Sequence, residues 1–97
     1  MKISAMGLLW YESAKDYADA LSIMDDAANL PNTYAEWLVL AEQAEKQLGG
    51  KGFRVVRAPF KKDEFIAFCS LHKLKINSDG RKYFGSHYAL RWHGGQN

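Results

Sequence analysis

Residues 30–50, LPNTYAEWLVLAEQAEKQLGG, carry the strongest structural signal in the chain. Thr33 followed by Glu36 forms a T-x-x-E capping box, which predicts the start of a helix. An apolar stripe at helical spacing follows, made of Tyr34, Trp37, Leu38, Ala41, Ala44 and Leu48. Gly49 and Gly50 are predicted to end the helix as its C-cap and linker. The stretch therefore predicts a helix of about four turns that packs into the core of a small domain.

The length and composition of the chain are typical of one globular domain. Its 97 residues suffice for a single core, and its 47% hydrophobic and 25% charged residues argue against disorder. Cys69 is the only cysteine, which excludes an internal disulfide and favours a reducing compartment. The apolar run from Ala5 to Tyr11 is too short to span a membrane and lacks a signal-peptide cleavage site. We therefore predict a cytoplasmic protein with one domain over residues 1–97, frayed at 1–6 and 93–97.

Charge is distributed unevenly between the two halves of the chain. Residues 1–50 hold three cations and eight acids, a net charge of −5. Residues 51–97 hold ten cations and three acids, a net charge of +7. Such a split suggests either an acidic partner for the second half or electrostatic attraction between the two halves.

A strand and a helix are predicted before the capping box. Residues 7–11, GLLWY, form a short apolar run without helical periodicity, which predicts a strand. Ser13 with Asp16 is a capping-box variant, and it predicts a helix from about Ala14 to Ala28.

A second strand and a third helix are predicted after the central helix. Residues 53–58, FRVVRA, are rich in β-branched and aromatic side chains and predict a strand, which Pro59 ends. Asp63 is the predicted N-cap of a helix that runs to Lys73 or Leu74.

A fourth helix completes the expected fold. It is predicted to begin at Asn77 or Ser78 and to place its large side chains inward, namely Tyr83, Phe84, His87 and Leu90. The sequence thus predicts a single α+β domain of order β-α-α-β-α-α, with four helices packed on a two-stranded sheet. Whether the two strands pair parallel or antiparallel stays open, because the two-helix crossover permits either.

Three segments of the chain resemble a family of small uncharacterised bacterial proteins. The residues that carry the resemblance are Gly7-x-x-Trp10-Tyr11, Leu30-Pro31-x-Thr33-Tyr34-x-Glu36-Trp37 and Asp63-Glu64-Phe65-x-Ala67-x-Cys69. The resemblance covers the chain from Met6 to about Leu90. It implies a bacterial, intracellular protein of one domain, and it implies no activity, cofactor or catalytic residue.

Nucleic-acid binding is one candidate function, because the second half of the chain is basic and contains interleaved aromatic residues. The candidate contacts are Arg54, Arg57, Lys61, Lys62, Arg81, Lys82 and Arg91. The alternative is that these cations scatter over the surface, and a pI of about 8.7 is modest for a nucleic-acid-binding domain. We expect alanine at positions 81 and 82 to leave the fold intact.

Signals for metal binding or catalysis are weak. Cys69 and His72 are three residues apart on a predicted helix, and with His87 and His93 they could form a set of zinc ligands. A buried thiol beside a boundary histidine suits the neighbouring phenylalanines better. No nucleophile elbow, phosphate-binding loop or metalloprotease motif is present in the sequence. We therefore predict no catalytic residue, no cofactor and no metal site.

Protein–protein association is the function that the sequence favours. Ile23 and Val39 are predicted to point away from the core faces of their helices, and Trp92 lies opposite Tyr83 and Leu90. We predict a small non-enzymatic interaction module that self-associates or binds another protein, with Ile23, Val39 and Trp92 at its interface and no membrane partner. The alternative function is a nucleic-acid-binding accessory protein that uses residues 51–92.

Overall fold

The computed structural model describes the backbone of residues 4–95 and the side chains of residues 4–91. Along the chain the elements are β1 (Ala5–Trp10), α1 (Ala14–Ile23), a 3-10 turn (Ala27–Asn29), α2 (Tyr34–Gly50), β2 (Arg54–Pro59), α3 (Lys62–Leu71) and α4 (Ser78–Gly95). The predicted α+β fold with order β-α-α-β-α-α, four helices and a two-stranded sheet is confirmed.

The sheet is parallel. Its register pairs Ala5 with Arg54 at one end and Trp10 with Pro59 at the other. The chain returns from the end of β1 to the start of β2 through α1 and α2, and a crossover of this length is what parallel pairing requires.

Each face of the sheet is covered by a helix, and α4 lies on the face that contains Gly7. A Cβ atom built on Gly7 would lie only 1.7 Å from the carbonyl oxygen of Gly85 in α4. A Cβ atom built on Gly85 would lie 2.5 Å from the carbonyl oxygen of Gly7. The backbones of α4 and β1 therefore touch directly, which only a pair of glycines allows.

Helix α2 covers the opposite face of the sheet through an arginine that lies between it and β1. The Arg57 guanidinium lies 3.9 Å from the centroid of the Trp10 ring, and donates to both carboxylate oxygens of Glu45 at 2.7 and 2.8 Å. The Trp10 ring also meets Trp37 of α2 edge-on, with centroids 5.2 Å apart. One arginine thus links both strands to α2.

The core lies beyond the carboxyl ends of the two strands, where α1 and α3 begin. Its largest fully buried side chains are Tyr11, Tyr17, Phe60, Phe65 and Cys69. The rings of Tyr11 and Phe60, which directly follow β1 and β2, are 5.2 Å apart. Aromatic residues therefore supply most of the volume of this small core.

The N-terminus of α2 has the predicted cap. The Glu36 backbone N–H donates to the Thr33 hydroxyl at 3.1 Å, and that hydroxyl donates to the Glu36 carboxylate at 3.0 Å. The predicted stripe from Tyr34 to Leu48 is the half-buried side of the helix. The predicted end is wrong, because Gly49 and Gly50 form the last helical turn and the left-handed residue is Gly52, with φ of 93°.

Other predicted boundaries also differ. Helix α1 ends at Ile23 rather than Ala28, because the backbone becomes extended at Met24. The predicted Asp63 cap is wrong, since the cap position is Lys61 and makes no side-chain bond. Of the residues predicted to fray, 5 and 6 lie in β1 and 93–95 lie in α4. Residues 1–3, 96 and 97 lie outside the described residues.

The inward face of α4 is the largest error. Tyr83 and Leu90 were expected inside, yet Tyr83 is 49% exposed and Leu90 is 73% exposed. Between Ser78 and Arg91, the part of α4 whose side chains are described, the buried residues are Gly80, Gly85 and Ala89. Because the Gly7–Gly85 contact fixes which side of α4 meets β1, Tyr83 and Leu90 are turned toward solvent, whereas Phe84 packs against the core as expected.

Candidate protein interface

An open groove of about 710 Å³ lies between α3 and α4 and is called here the α3–α4 groove. The rings of Phe68 and Phe84 form its floor, with centroids 5.1 Å apart. From α3 it is lined by Glu64, Ala67, Phe68, Leu71 and His72, and from α4 by Phe84, His87, Tyr88 and Arg91. The groove is therefore mostly apolar and aromatic, with charged groups at its margin.

Large apolar side chains stand exposed beside this groove. Leu71, at the end of α3, is 78% exposed. On α4, Tyr83 and Leu90 lie seven residues apart, which places both on one outward stripe next to His87. Leu71 lines the groove, Tyr83 contacts Phe68 and His72 within it, and Leu90 lies one turn beyond His87. Single exposed apolar residues are ordinary, but three of them close together on α3 and α4 are typical of a protein-binding surface.

Two histidines lie side by side in the α3–α4 groove. The ring centroids of His72 and His87 are 5.7 Å apart, and both rings pack on Phe68, at 4.3 and 5.3 Å. Both residues are half-buried. Among the described residues no group of three or more histidine, cysteine, aspartate or glutamate side chains is placed to hold a metal ion.

Cys69 does not belong to the groove. Its side chain is fully buried in the core, and burial raises the pKa of its thiol. A Cβ atom built on Gly80 would lie 3.0 Å from the Cys69 sulfur, so the sulfur packs against the backbone of α4. A thiol that is buried and less acidic than usual is a poor nucleophile and a poor metal ligand. The fourth member of the set, His93, has its side chain outside the described residues.

Opposite charges mark one end of the α3–α4 groove. Glu64 lies near the start of α3 and Arg91 toward the end of α4, and both are exposed. Helix α3 runs into the 72–77 connection and α4 runs out of it, so both residues lie far from that connection. Neither side chain forms an ion pair within the described part of the chain.

Comparison with protein-family models, with curated proteins and with solved structures finds no match for this chain. In the part of the chain that the structure describes, no helix has the length and apolar character needed to cross a membrane.

Two of the predicted nucleic-acid contacts are occupied inside the fold. Arg57 binds Glu45, as described above. Arg81 of α4 donates to both carboxylate oxygens of Asp26 at 2.8 Å, with side-chain exposures of 17% and 21%. Both ion pairs join the acidic first half of the chain to its basic second half. Attraction between the halves therefore accounts for part of the charge asymmetry.

Three of the other predicted nucleic-acid contacts line three depressions of the surface. Arg91 lines the α3–α4 groove, Lys82 lines a depression beside β1 and α2, and Arg54 lines another beside Glu45 and β2. Lys61 and Lys62 are exposed at the start of α3. The depressions that contain Arg91 and Arg54 adjoin, since Tyr88 lines both of them.

Replacing Arg81 by alanine should destabilise the fold, contrary to the expectation from sequence. Its hydrogen bonds hold the pKa of Asp26 below its usual value. The ion pair therefore stabilises the protein at neutral pH, and this stabilisation is lost as the pH falls through the lowered pKa. We expect Arg81→Ala to lower the free energy of unfolding by about 2 kcal/mol at neutral pH. Urea unfolding should also show that the stability of the variant falls less steeply toward acidic pH than that of the wild type.

Lys82→Ala is the matched control for Arg81→Ala, because Lys82 is the exposed neighbour on the same helix. It should change the free energy of unfolding by no more than about 0.5 kcal/mol. Equal stabilities of the two variants at neutral pH would contradict a structural role for the Arg81–Asp26 pair.

The three predicted interface residues have different positions. Ile23 is half-buried and packs against the core, so the prediction that it points away from the core is wrong. Val39 is exposed, next to exposed Leu40 on α2. The side chain of Trp92 lies outside the described residues.

The α3–α4 groove was missed because its apolar residues were assigned to the core or ignored. Leu71 lies off the stripe formed by Phe65 and Cys69, just as Val39 lies off the stripe of α2. Applying the same test to α3 would have identified Leu71 as an exposed apolar residue. Glu64 carries no sequence signal that distinguishes it from any other surface acid.

Proposed function

We propose that the protein is a non-enzymatic interaction module that self-associates through the α3–α4 groove. The observation that carries this proposal is the combination of exposed apolar residues around the groove with two opposite charges, Glu64 and Arg91, that lack partners within the described chain. A second copy supplies a matching apolar surface and both complementary charges.

A twofold axis that runs along the groove gives the pairing its geometry. Rotation about this axis keeps each residue at the same position along the groove but moves it to the opposite wall. Helix α3 of one copy then faces α4 of the other, and each Glu64 faces Arg91 of the second copy. The two hairpins form a four-helix arrangement with two equivalent ion pairs.

Apolar contacts and charge contacts have different roles in this dimer. Burial of Leu71, Tyr83 and Leu90 supplies most of the free energy of association, and this contribution barely responds to salt. The ion pairs lie at the margin and mainly select the register, since like charges in those positions repel. We therefore expect dimers at both low and high salt.

Charge reversal tests the pairing. Glu64→Arg alone or Arg91→Glu alone places like charges opposite each other twice in every dimer, so the dimer dissociation constant should rise about tenfold or more at low salt. The double variant E64R/R91E restores two attractive contacts and should regain most of the affinity. Light scattering after size exclusion, over a range of protein concentrations, gives these dissociation constants.

Controls with the same change of charge separate the groove from net charge. Asp63→Arg on α3 and Lys82→Glu on α4 alter exposed residues that do not line the groove, and they should leave dimerisation unchanged. Failure of the double variant to recover would contradict the Glu64–Arg91 contact. A monomer that shifts with short DNA or RNA only at low salt would favour the nucleic-acid function instead.

A further inference from the structure

His72 and His87 both line the α3–α4 groove and so lie within the proposed interface. Their ring centroids are 5.7 Å apart, and both rings pack against Phe68. Neither imidazole forms a hydrogen bond with another described residue. Two half-buried imidazoles, with no hydrogen-bond partner among the described residues, therefore lie next to each other in an apolar surface.

The spacing suits a transition-metal ion. Zinc–nitrogen bonds are about 2.0–2.1 Å, so two imidazoles on one tetrahedral ion place their ring centroids roughly 5 Å apart. The observed separation of 5.7 Å is close to that value. Imidazole is a ligand that suits zinc, copper and nickel, whereas calcium and magnesium prefer oxygen.

Two ligands from one chain leave a tetrahedral ion incomplete. The described part of the chain supplies no third group, since no cluster of three potential ligands exists there. The twofold axis of the proposed dimer runs along the groove between His72 and His87. Rotation about that axis brings the same pair from the second copy to the same position along the groove, which makes four imidazoles around the axis.

We propose that two copies of the chain bind one zinc-class divalent ion through His72 and His87 of each copy. This inference rests on the proposed self-association and adds a ligand to it. The ion would lie near the twofold axis, on the side of the groove nearer to the 72–77 connection. Binding the ion and pairing the chains are then linked, so each promotes the other.

Cobalt titration of the untagged protein tests the site, because Co²⁺ substitutes for Zn²⁺ and its visible absorption reports tetrahedral coordination. We expect one Co²⁺ for every two chains, displacement of Co²⁺ by Zn²⁺, and a dimer dissociation constant lowered about tenfold or more by saturating Zn²⁺. His72→Ala and His87→Ala should each abolish the tetrahedral spectrum. His93→Ala, which removes the third histidine, should retain it.

The possible results separate this inference from the proposed function. A wild-type dimer without tetrahedral Co²⁺ overturns the metal site and leaves self-association standing. One ion per chain, or a spectrum that survives both histidine variants, also overturns the shared site. A spectrum that depends on both histidines at one ion per two chains supports it, even if charge reversal at Glu64 does not weaken the dimer. Melting of each variant without metal, followed by circular dichroism, verifies that it folds.

Discussion

Gly7→Ala should prevent stable folding. The new methyl group would lie 1.7 Å from the Gly85 carbonyl oxygen and 2.4 Å from its carbon, and both atoms belong to the backbone of α4. Relief requires α4 to move away from β1, which opens the interface through which the longest helix packs on the sheet. We expect the free energy of unfolding to fall by more than about 4 kcal/mol, which is a large part of the stability of a domain of this size.

Alanine at the other glycine of this contact, Gly85, should have a similar effect. Gly85→Ala places its methyl group 2.5 Å from the Gly7 carbonyl oxygen. The matched control is Gly49→Ala, at a helical glycine whose Cβ would meet nothing within 4 Å. Alanine there should stabilise the protein by about 0.5–1 kcal/mol. Urea unfolding of the three variants, followed by circular dichroism, gives the comparison, and a cooperative transition for Gly7→Ala near that of wild type would contradict the backbone contact.

Trp37→Ala should be the next most damaging change. The Trp37 ring meets Tyr11 edge-on with centroids 4.7 Å apart and stacks on Tyr34 at 5.7 Å. It also touches the Trp10 ring that supports Arg57. Truncation removes a large side chain that connects α2 to the aromatic core. We expect the free energy of unfolding to fall by about 3–5 kcal/mol.

Val39→Ala is the control for Trp37→Ala. Val39 lies two residues later in the same helix, but its side chain is 54% exposed. Its truncation should change the free energy of unfolding by no more than about 0.5 kcal/mol. Urea denaturation followed by circular dichroism measures both variants. If Trp37→Ala unfolds at the same urea concentration as Val39→Ala, the assignment of Trp37 to the core is wrong.

Local signals in the sequence predicted the fold well where neighbouring residues decide it. The Thr33–Glu36 cap and the inward stripe of α2 depend on contacts within about one turn of a helix, so spacing alone identifies them. The order of strands and helices follows from the same kind of signal.

Features that depend on distant contacts were not predictable in this way. Parallel pairing brings Ala5 to Arg54, and nothing near either residue specifies that direction. Gly80 and Gly85 looked unfavourable for a helix, yet Gly85 is where α4 meets Gly7, 78 residues away. This contact rotates the inward face of α4 so that Tyr83 and Leu90 are exposed, while Phe84 still packs against the core.

The candidate interface was hidden for the same reason. It depends on how α4 lies on the sheet, which turns Tyr83 and Leu90 outward beside α3. The ion pair of Arg81 with Asp26 is equally non-local, although the opposite charges of the two halves indicated that such pairs would form. Long-range contacts thus decide both the surface that is exposed and the cations that remain available.

Mixing the two single charge variants tests self-association through the α3–α4 groove most directly. The Glu64→Arg variant has arginine at both positions 64 and 91, and the Arg91→Glu variant has glutamate at both. Two copies of the same variant therefore repel each other at these positions. A mixed dimer has two attractive contacts. We predict that each variant alone is mostly monomeric at a concentration at which wild type is dimeric, and that light scattering shows the dimer mass when the variants are mixed at equal amounts. A mixture that stays monomeric, or single variants that dimerise as tightly as wild type, would contradict the account.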